Sequence, residues 1–369
     1  MINRKTFLTH TTLAAAGMLF DSYAQPLSAA PATSASATTP APAATALATS
    51  GSTTASPAAA SSSAPAAPAS PAATSSTVPA ATASTAPAKA SSTAPAKTGF
   101  QLKILATDWG FPGTLDEYGA KVRAAGYDGI EIWWSLDPER QKAIFDMLAK
   151  YQLQVGFLCA GSQSDPKEHL STFKAMVEGA ARNTHQRPLY INCHSGRDYF
   201  SYDENTPFID LTTALTKETG LRILHETHRS RMLFAAPVAR HFIETIPELR
   251  LTFDVSHWCN VSESLLSDQP QTLNLALERV DHIHARIGHP EGPQVNDPRA
   301  PEWKSAADAH FAWWDTVLRR KKAQGEVMTI LTEFGPPDYM PTLPYTREPL
   351  ADQWAINVNM LQTLRKRYS

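Results

Sequence analysis

Four side chains able to hold a cation close four short β-type runs in the second half of the sequence. They are Glu226 after Leu224-His225, Asp254 after Leu251-Thr252-Phe253, His284 within His282-Ile283-His284-Ala285, and Glu333 after Leu331-Thr332. Three carboxylates brought to one place repel one another, and buried charge is tolerated only when paired or bound to metal. Three oxygen donors and one imidazole suit a hard or borderline ion with open positions. The expected cofactor is therefore one divalent metal ion, Mn2+, Mg2+ or Co2+ ahead of Zn2+. Any one of the four, taken alone, reads more simply as an ion-pair or hydrogen-bond partner; their recurrence at successive strand ends is what selects a metal.

Those strand ends belong to a regular alternation. Short β-rich runs at 103–107, 129–133, 154–158, 189–193, 222–226, 250–254, 282–286 and 328–333 are separated by helical patterns. The helices are expected at 115–125, 138–151, 166–182, 208–219, 235–245, 273–279, 306–323 and 350–368, with Gly126, Gly220 and Gly325 where helices should stop. Eight βα units in residues 98–369 predict one α/β domain, a (β/α)8 barrel, for which roughly 250 residues suffice. An open doubly wound sheet is the rival, but Thr107-Asp108-Trp109-Gly110-Phe111 after the first run is not a glycine-rich phosphate turn.

Alternation along a strand sends one set of side chains to the helices and the other to the barrel axis. Thr252, Asp254 and Ser256 should point inward, as should His282, His284 and Arg286, then Tyr190, Asn192 and His194, and Glu131. Glu226 and Glu333 are less cleanly patterned, since Leu224 and Leu331 share their faces. Active sites of such barrels lie at the C-terminal ends of the strands. Arg286, His257 and His194 are candidates to fix substrate oxygens there, with His228 beside Glu226 and Glu131 on the second strand. Trp109, with Trp133, Trp134 and Tyr339, lies near strand ends, placed to stack on a flat ligand face.

The segments Leu224-His225-Glu226-Thr227-His228-Arg229, Phe253-Asp254-Val255-Ser256-His257-Trp258, His282-Ile283-His284-Ala285-Arg286 and Leu331-Thr332-Glu333-Phe334-Gly335 resemble, in order and spacing, the xylose isomerase-like TIM-barrel superfamily. That group includes sugar isomerases and epimerases and relatives of the family 2 AP endonucleases. The resemblance spans 98–369 and implies that Glu226, Asp254, His284 and Glu333 bind one metal. It further implies that Glu226 and Glu333 are catalytic, exchanging the substrate proton, and that His257 contacts substrate. One departure is clear: six residues past Glu226, where ketose 3-epimerases carry a second substrate-binding glutamate, this chain has Met232.

The expected reaction is metal-dependent isomerisation or epimerisation of an unphosphorylated sugar or related compound, through proton transfer and an enediolate. A lyase or dehydratase acting on a keto-sugar or cyclic polyol, and a non-catalytic sugar-binding module, are the alternatives. A serine hydrolase or zincin is excluded, because there is no GxSxG and His225-Glu226-Thr227-His228 spaces its histidines three apart rather than four.

Residues 25–97 are almost wholly Ala, Ser, Thr and Pro, with Lys89 and Lys97 as the only charges, and are expected to form a disordered tether. Residues 1–24 have the layout of a signal peptide, and Asn3-Arg4-Lys5-Thr6-Phe7-Leu8 resembles a twin-arginine signal with Lys in the second basic place. An exported, periplasmic enzyme follows, with no membrane span in the mature chain and with homo-oligomers possible in principle. A net charge of −2 without a long basic run argues against a nucleic-acid partner. Three cysteines without CxxC spacing predict buried thiols.

Overall fold

The computed structural model describes residues 99–369. The expected signal peptide and tether lie outside them. Eight parallel strands close into a barrel in sequence order: β1 (Gln101–Thr107), β2 (Gly129–Trp133), β3 (Gln154–Ala160), β4 (Ile191–His194), β5 (Ile223–Glu226), β6 (Leu251–Phe253), β7 (Val280–Ala285) and β8 (Val327–Thr332). β1 closes the ring on β8, with Leu105 opposite Leu331.

Around the barrel run α1 (Leu115–Ala125), α2 (Pro138–Tyr151), α3 (Pro166–Ala181), α4 (Tyr202–Thr219), α5 (Ala236–Thr245), α6 (Val255–Val261), α7 (Pro270–Arg279), α8 (Lys304–Gln324) and α9 (Gln353–Tyr368). Local chemistry sets their limits. Thr114 with Glu117 and Ser201 with Glu204 form reciprocal capping boxes at the starts of α1 and α4. Gly126, Gly220 and Gly325 end α1, α4 and α8 in the left-handed conformation.

Two differences from the sequence expectation have clear causes. α4 begins at Tyr202 rather than 208, because the Ser201 box fixes the start and Pro207 is absorbed in the second turn. α6 was not expected at all: β6 stops at Phe253, and Asp254 becomes the N-cap of a seven-residue helix.

The core has two parts. Outward strand residues such as Ile104, Ile132, Phe157, Ile191, Phe253 and Ile330 meet the helices in one continuous cluster. Leu105, Tyr190, Leu224 and Leu331 form a separate apolar layer inside the ring. That layer explains why Leu224 and Leu331 share faces with Glu226 and Glu333: the lower part of the barrel interior is filled by apolar side chains and the upper part by polar ones. All three cysteines are free and buried. Among the described residues, no helix is long and apolar enough to cross a membrane.

Candidate active site

The polar layer above Leu224 and Leu331 gathers the four side chains expected to bind metal. Glu226, Asp254 and His284 offer ligand atoms that all lie within 4.8 Å of one another. Glu333, the first residue past β8, brings Oε2 to 3.0 Å from His284 Nδ1, and Glu226 Oε1 stands 3.7 Å from the same nitrogen.

Each ligand candidate is held from behind. Glu226 Oε2 accepts from Asn192 Nδ2 at 2.7 Å and lies 2.9 Å from His194 Nε2. Asp254 accepts from the backbone N–H of Ser256 at 3.1 Å, and also from the Ser256 hydroxyl and the Arg286 guanidinium. Arg286 reaches on to His257 Nε2 at 2.9 Å and to Glu333 Oε2 at 3.5 Å. The rings of Tyr339 and Trp109 cover it, with centroids 4.8 and 5.9 Å from its guanidinium carbon.

Glu131 takes a different place from the one expected. It is buried, with Oε1 3.4 Å from His284 Nε2 and Oε2 3.6 Å from His282 Nε2. A carboxylate behind an imidazole fixes its orientation and raises its basicity, and Glu131 stands in that position behind His284. The physical reason is depth: β2 turns Glu131 inward two residues short of the strand end at Trp133.

A row of histidines runs from Glu226 to His257. His194 and His228 have ring centroids 4.5 Å apart, and His228 and His257 are 3.9 Å apart. Trp133, 44% exposed, meets His194 edge-on at 5.6 Å. His194, Glu226 and His228 form a second group with ligand atoms within 4.8 Å, and Glu131, His282 and His284 a third. Trp109 and Tyr339 pack edge to face at 4.8 Å on the side of Arg286. Trp134, by contrast, is 5% exposed and meets Phe157 edge to face in the core, so it is not a sugar platform.

The electrostatics follow from burial among mixed charges. Burial pushes the Glu226 carboxyl up, but His194, His284 and His228 outweigh it and hold the group well below the usual carboxylate range. Asp254 is pushed up to about 7, first by burial and then by Glu333 and Glu226, against the opposing pull of Arg286. Burial lowers the His284 imidazole, yet Glu333, Glu226 and Glu131 together raise it well above its ordinary value. His257 and His228 are held neutral, mainly by burial.

Glu226 Oε1, His284 Nδ1 and Glu333 Oε2 are all buried and lack an aligned hydrogen-bond partner. Three orphaned acceptor or ligand atoms from three strands converging on one point fit a cation. Asp254 has lone pairs left beyond those used by Ser256 and Arg286.

No protein-family model matches the chain, and no curated protein matches it. Solved structures do. A 3-keto-D-glucoside 4-epimerase from E. coli, in its apo form, superposes with a TM-score of 0.51 at 14% identity, covering 72% of this chain and all of that one. The fold is shared. Also similar are a D-tagatose 3-epimerase-like protein (TM-score 0.47, 15% identity, 73% of this chain and 97% of that chain) and an IolI protein with a bound zinc atom (0.48, 17%, 72% and 99%). What is shared is the fold, the closed eight-stranded barrel with alternating helices that the sequence leads one to expect.

Asn192, His282 and Ser256 complete the site as supports. Their inward direction was readable from strand alternation, but nothing in the sequence marked what each would hold.

Proposed function

We propose that this chain is a divalent-metal-dependent isomerase or epimerase acting on an unphosphorylated sugar or a close relative, working after export. The observation that carries this reading is the convergence of Glu226 Oε1, His284 Nδ1 and Glu333 Oε2, buried together without an aligned hydrogen bond, at the C-terminal end of the barrel. Glu226, Asp254, His284 and Glu333 would hold the ion, Mn2+, Mg2+, Co2+ or Zn2+. It would supply electrophilic polarisation of a carbonyl and an adjacent hydroxyl oxygen.

The chain's own residues do the rest. Glu226, held ionised by its histidine neighbours, takes the proton from the carbon beside the carbonyl. Glu333, the more open of the two carboxylates, stands three strands away around the ring and returns a proton to the enediolate. Arg286 and His257, already joined, present donors to substrate oxygens. Trp109, Tyr339 and Trp133 shield the intermediate from water and offer flat faces to a sugar ring.

The test is solvent deuterium exchange. The full-length, Mn2+-loaded protein, incubated in D2O with a panel of ketoses and keto-glycosides, is expected to place deuterium on the carbon next to the carbonyl. Glu226→Gln and Glu333→Gln should each slow that exchange by a factor of about 100 or more, the scale of a general-base contribution. Net loss of water from substrate would instead favour the lyase alternative, and sugar binding without any exchange would favour a binding module.

A further inference from the structure

At the other end of the barrel, the N-terminal ends of β4 to β8 surround a second concavity of about 870 Å3. It has no part in the proposed chemistry, since Glu226 and Glu333 lie at the opposite ends of the same strands. Five cationic side chains, Arg187, Arg222, Arg250, Arg320 and Lys321, line it against three acids, Glu278, Asp281 and Glu326, so two positive charges are in excess.

The pairing within the bowl shows where that excess sits. Arg250 grips Asp281 through two hydrogen bonds of 2.8 Å, and Lys321 binds both Asp281 and Glu326. Those two acids are consumed. Glu278 is exposed at the surface and makes no ion pair with any described residue.

The remaining three arginines hydrogen-bond only to backbone carbonyls, although the charges of Asp281 and Glu326 also act on Arg222 and, with Glu278, on Arg320. Arg222 donates to the carbonyl oxygens of Asp281, Val327 and Leu189 at 3.1 to 3.3 Å. Arg187 donates to that of Thr219 at 3.0 Å and Arg320 to that of Val280. Arg320 Nε is buried with no partner. A bottom face that merely sealed the barrel would close its charges against one another, as Arg250, Asp281 and Lys321 do. Here three guanidinium groups around a hollow keep fork donors to spare.

We propose that this bowl is a binding site for a small multivalent oxyanion, a phosphate ester or a di- or tricarboxylate, held by Arg187, Arg222 and Arg320. Guanidinium forks match the paired oxygens of both groups. The concave shape, with Glu278 and Glu326 among its walls, favours a compact anion over an extended polyanion such as nucleic acid, whose neighbouring phosphates those acids would repel.

The site stands independently of any metal, and so does its test. Full-length protein treated with chelator and then freed of it by dialysis is titrated calorimetrically with pyrophosphate and, separately, with citrate, at ionic strength held constant by sodium chloride. Saturable binding of one of them is expected, and which one binds distinguishes the phosphate from the carboxylate source. Arg187→Gln with Arg320→Gln should weaken it ten-fold or more, which is about 1.4 kcal/mol. Because Arg320 also caps a strand carbonyl, the exposed Arg187→Gln alone serves as a second variant, with a loss of three-fold or more expected. The proposal is overturned if neither anion binds above the chloride background. It is equally overturned if both variants bind as the wild type does, or if only Arg229→Gln, at the barrel mouth, weakens binding.

Discussion

Glu333 Oε2 lies 3.0 Å from His284 Nδ1, on a neighbouring strand, without an aligned hydrogen bond between them. Two groups poised around a shared point in this way should bind an ion more strongly than they bind each other. Addition of Mn2+ or Zn2+ at about 100 times its dissociation constant should stabilise the folded chain by about 2.7 kcal/mol, read as a rise in Tm. His284→Ala and Glu333→Gln should each remove most of that rise. An equal metal-induced shift in wild type and both variants would show that the ion binds elsewhere.

Asn192 makes a different prediction, because it is buried and its amide serves Glu226 directly. The Nδ2 group donates to Glu226 Oε2 at 2.7 Å and stands 3.3 Å from His284 Nε2. Removing a hydrogen bond to a buried carboxylate costs about 1.5 to 3 kcal/mol. Asn192→Ala should therefore lose about that much in urea unfolding and leave Glu226 free to turn, with lower metal affinity. Unchanged stability and metal affinity would mean that His194 alone fixes the carboxylate.

Most of the barrel was legible because its two periodicities are clean. Ile130 and Ile132 face the helices and Glu131 faces the axis, so a period of two sorted them correctly. Alternation says nothing about depth, however. Glu131 and Glu226 both point inward, yet one supports a histidine from below while the other reaches the mouth. The layer formed by Leu105, Tyr190, Leu224 and Leu331 was invisible for the same reason, since its members come from four separate segments of the sequence. The helix Val255–Val261 was missed because its cap, Asp254, was already read as the end of a strand, and seven residues leave little room for a helical pattern.

Gly335 shows how tightly the aromatic wall is built. A Cβ added there would fall 2.3 Å from the six-membered ring of Trp109, while its backbone is pinned by Gln294, which accepts from its N–H at 2.7 Å. Gly335→Ala must push Trp109 away from Arg286 and Tyr339. Overpacking of this kind costs about 1 to 3 kcal/mol. The substitution should lower Tm, shift the tryptophan fluorescence and raise KM for any sugar substrate more than it lowers kcat. A change in Tm alone, with KM intact, would remove Trp109 from the substrate wall.

Acid should destabilise the barrel between about pH 6.5 and 4 in part through two buried histidines, His310 and His169, outside the cluster of candidate metal ligands. His310 is buried and pushed down to about 4, mainly by desolvation, and its Nε2 accepts from the Gly288 N–H at 3.2 Å while Nδ1 meets the Ala306 carbonyl. His169 is likewise pushed down to about 4, first by burial, with Arg197 adding to it against a bond to the Gln163 carbonyl. In the unfolded chain both would take a proton near 6.5. Between about pH 6.5 and 4 the unfolded state thus binds more protons than the folded one, so stability is fully present above 6.5 and falls as pH is lowered. Each group contributes about 1.4 kcal/mol per pH unit in that window. Urea unfolding at pH 7, 6 and 5 should show this loss, and His310→Gln, whose amide can still accept from Gly288, should reduce the slope by about one proton. An unchanged slope in that variant would mean that His310 takes up its proton in the folded barrel as readily as in the unfolded chain.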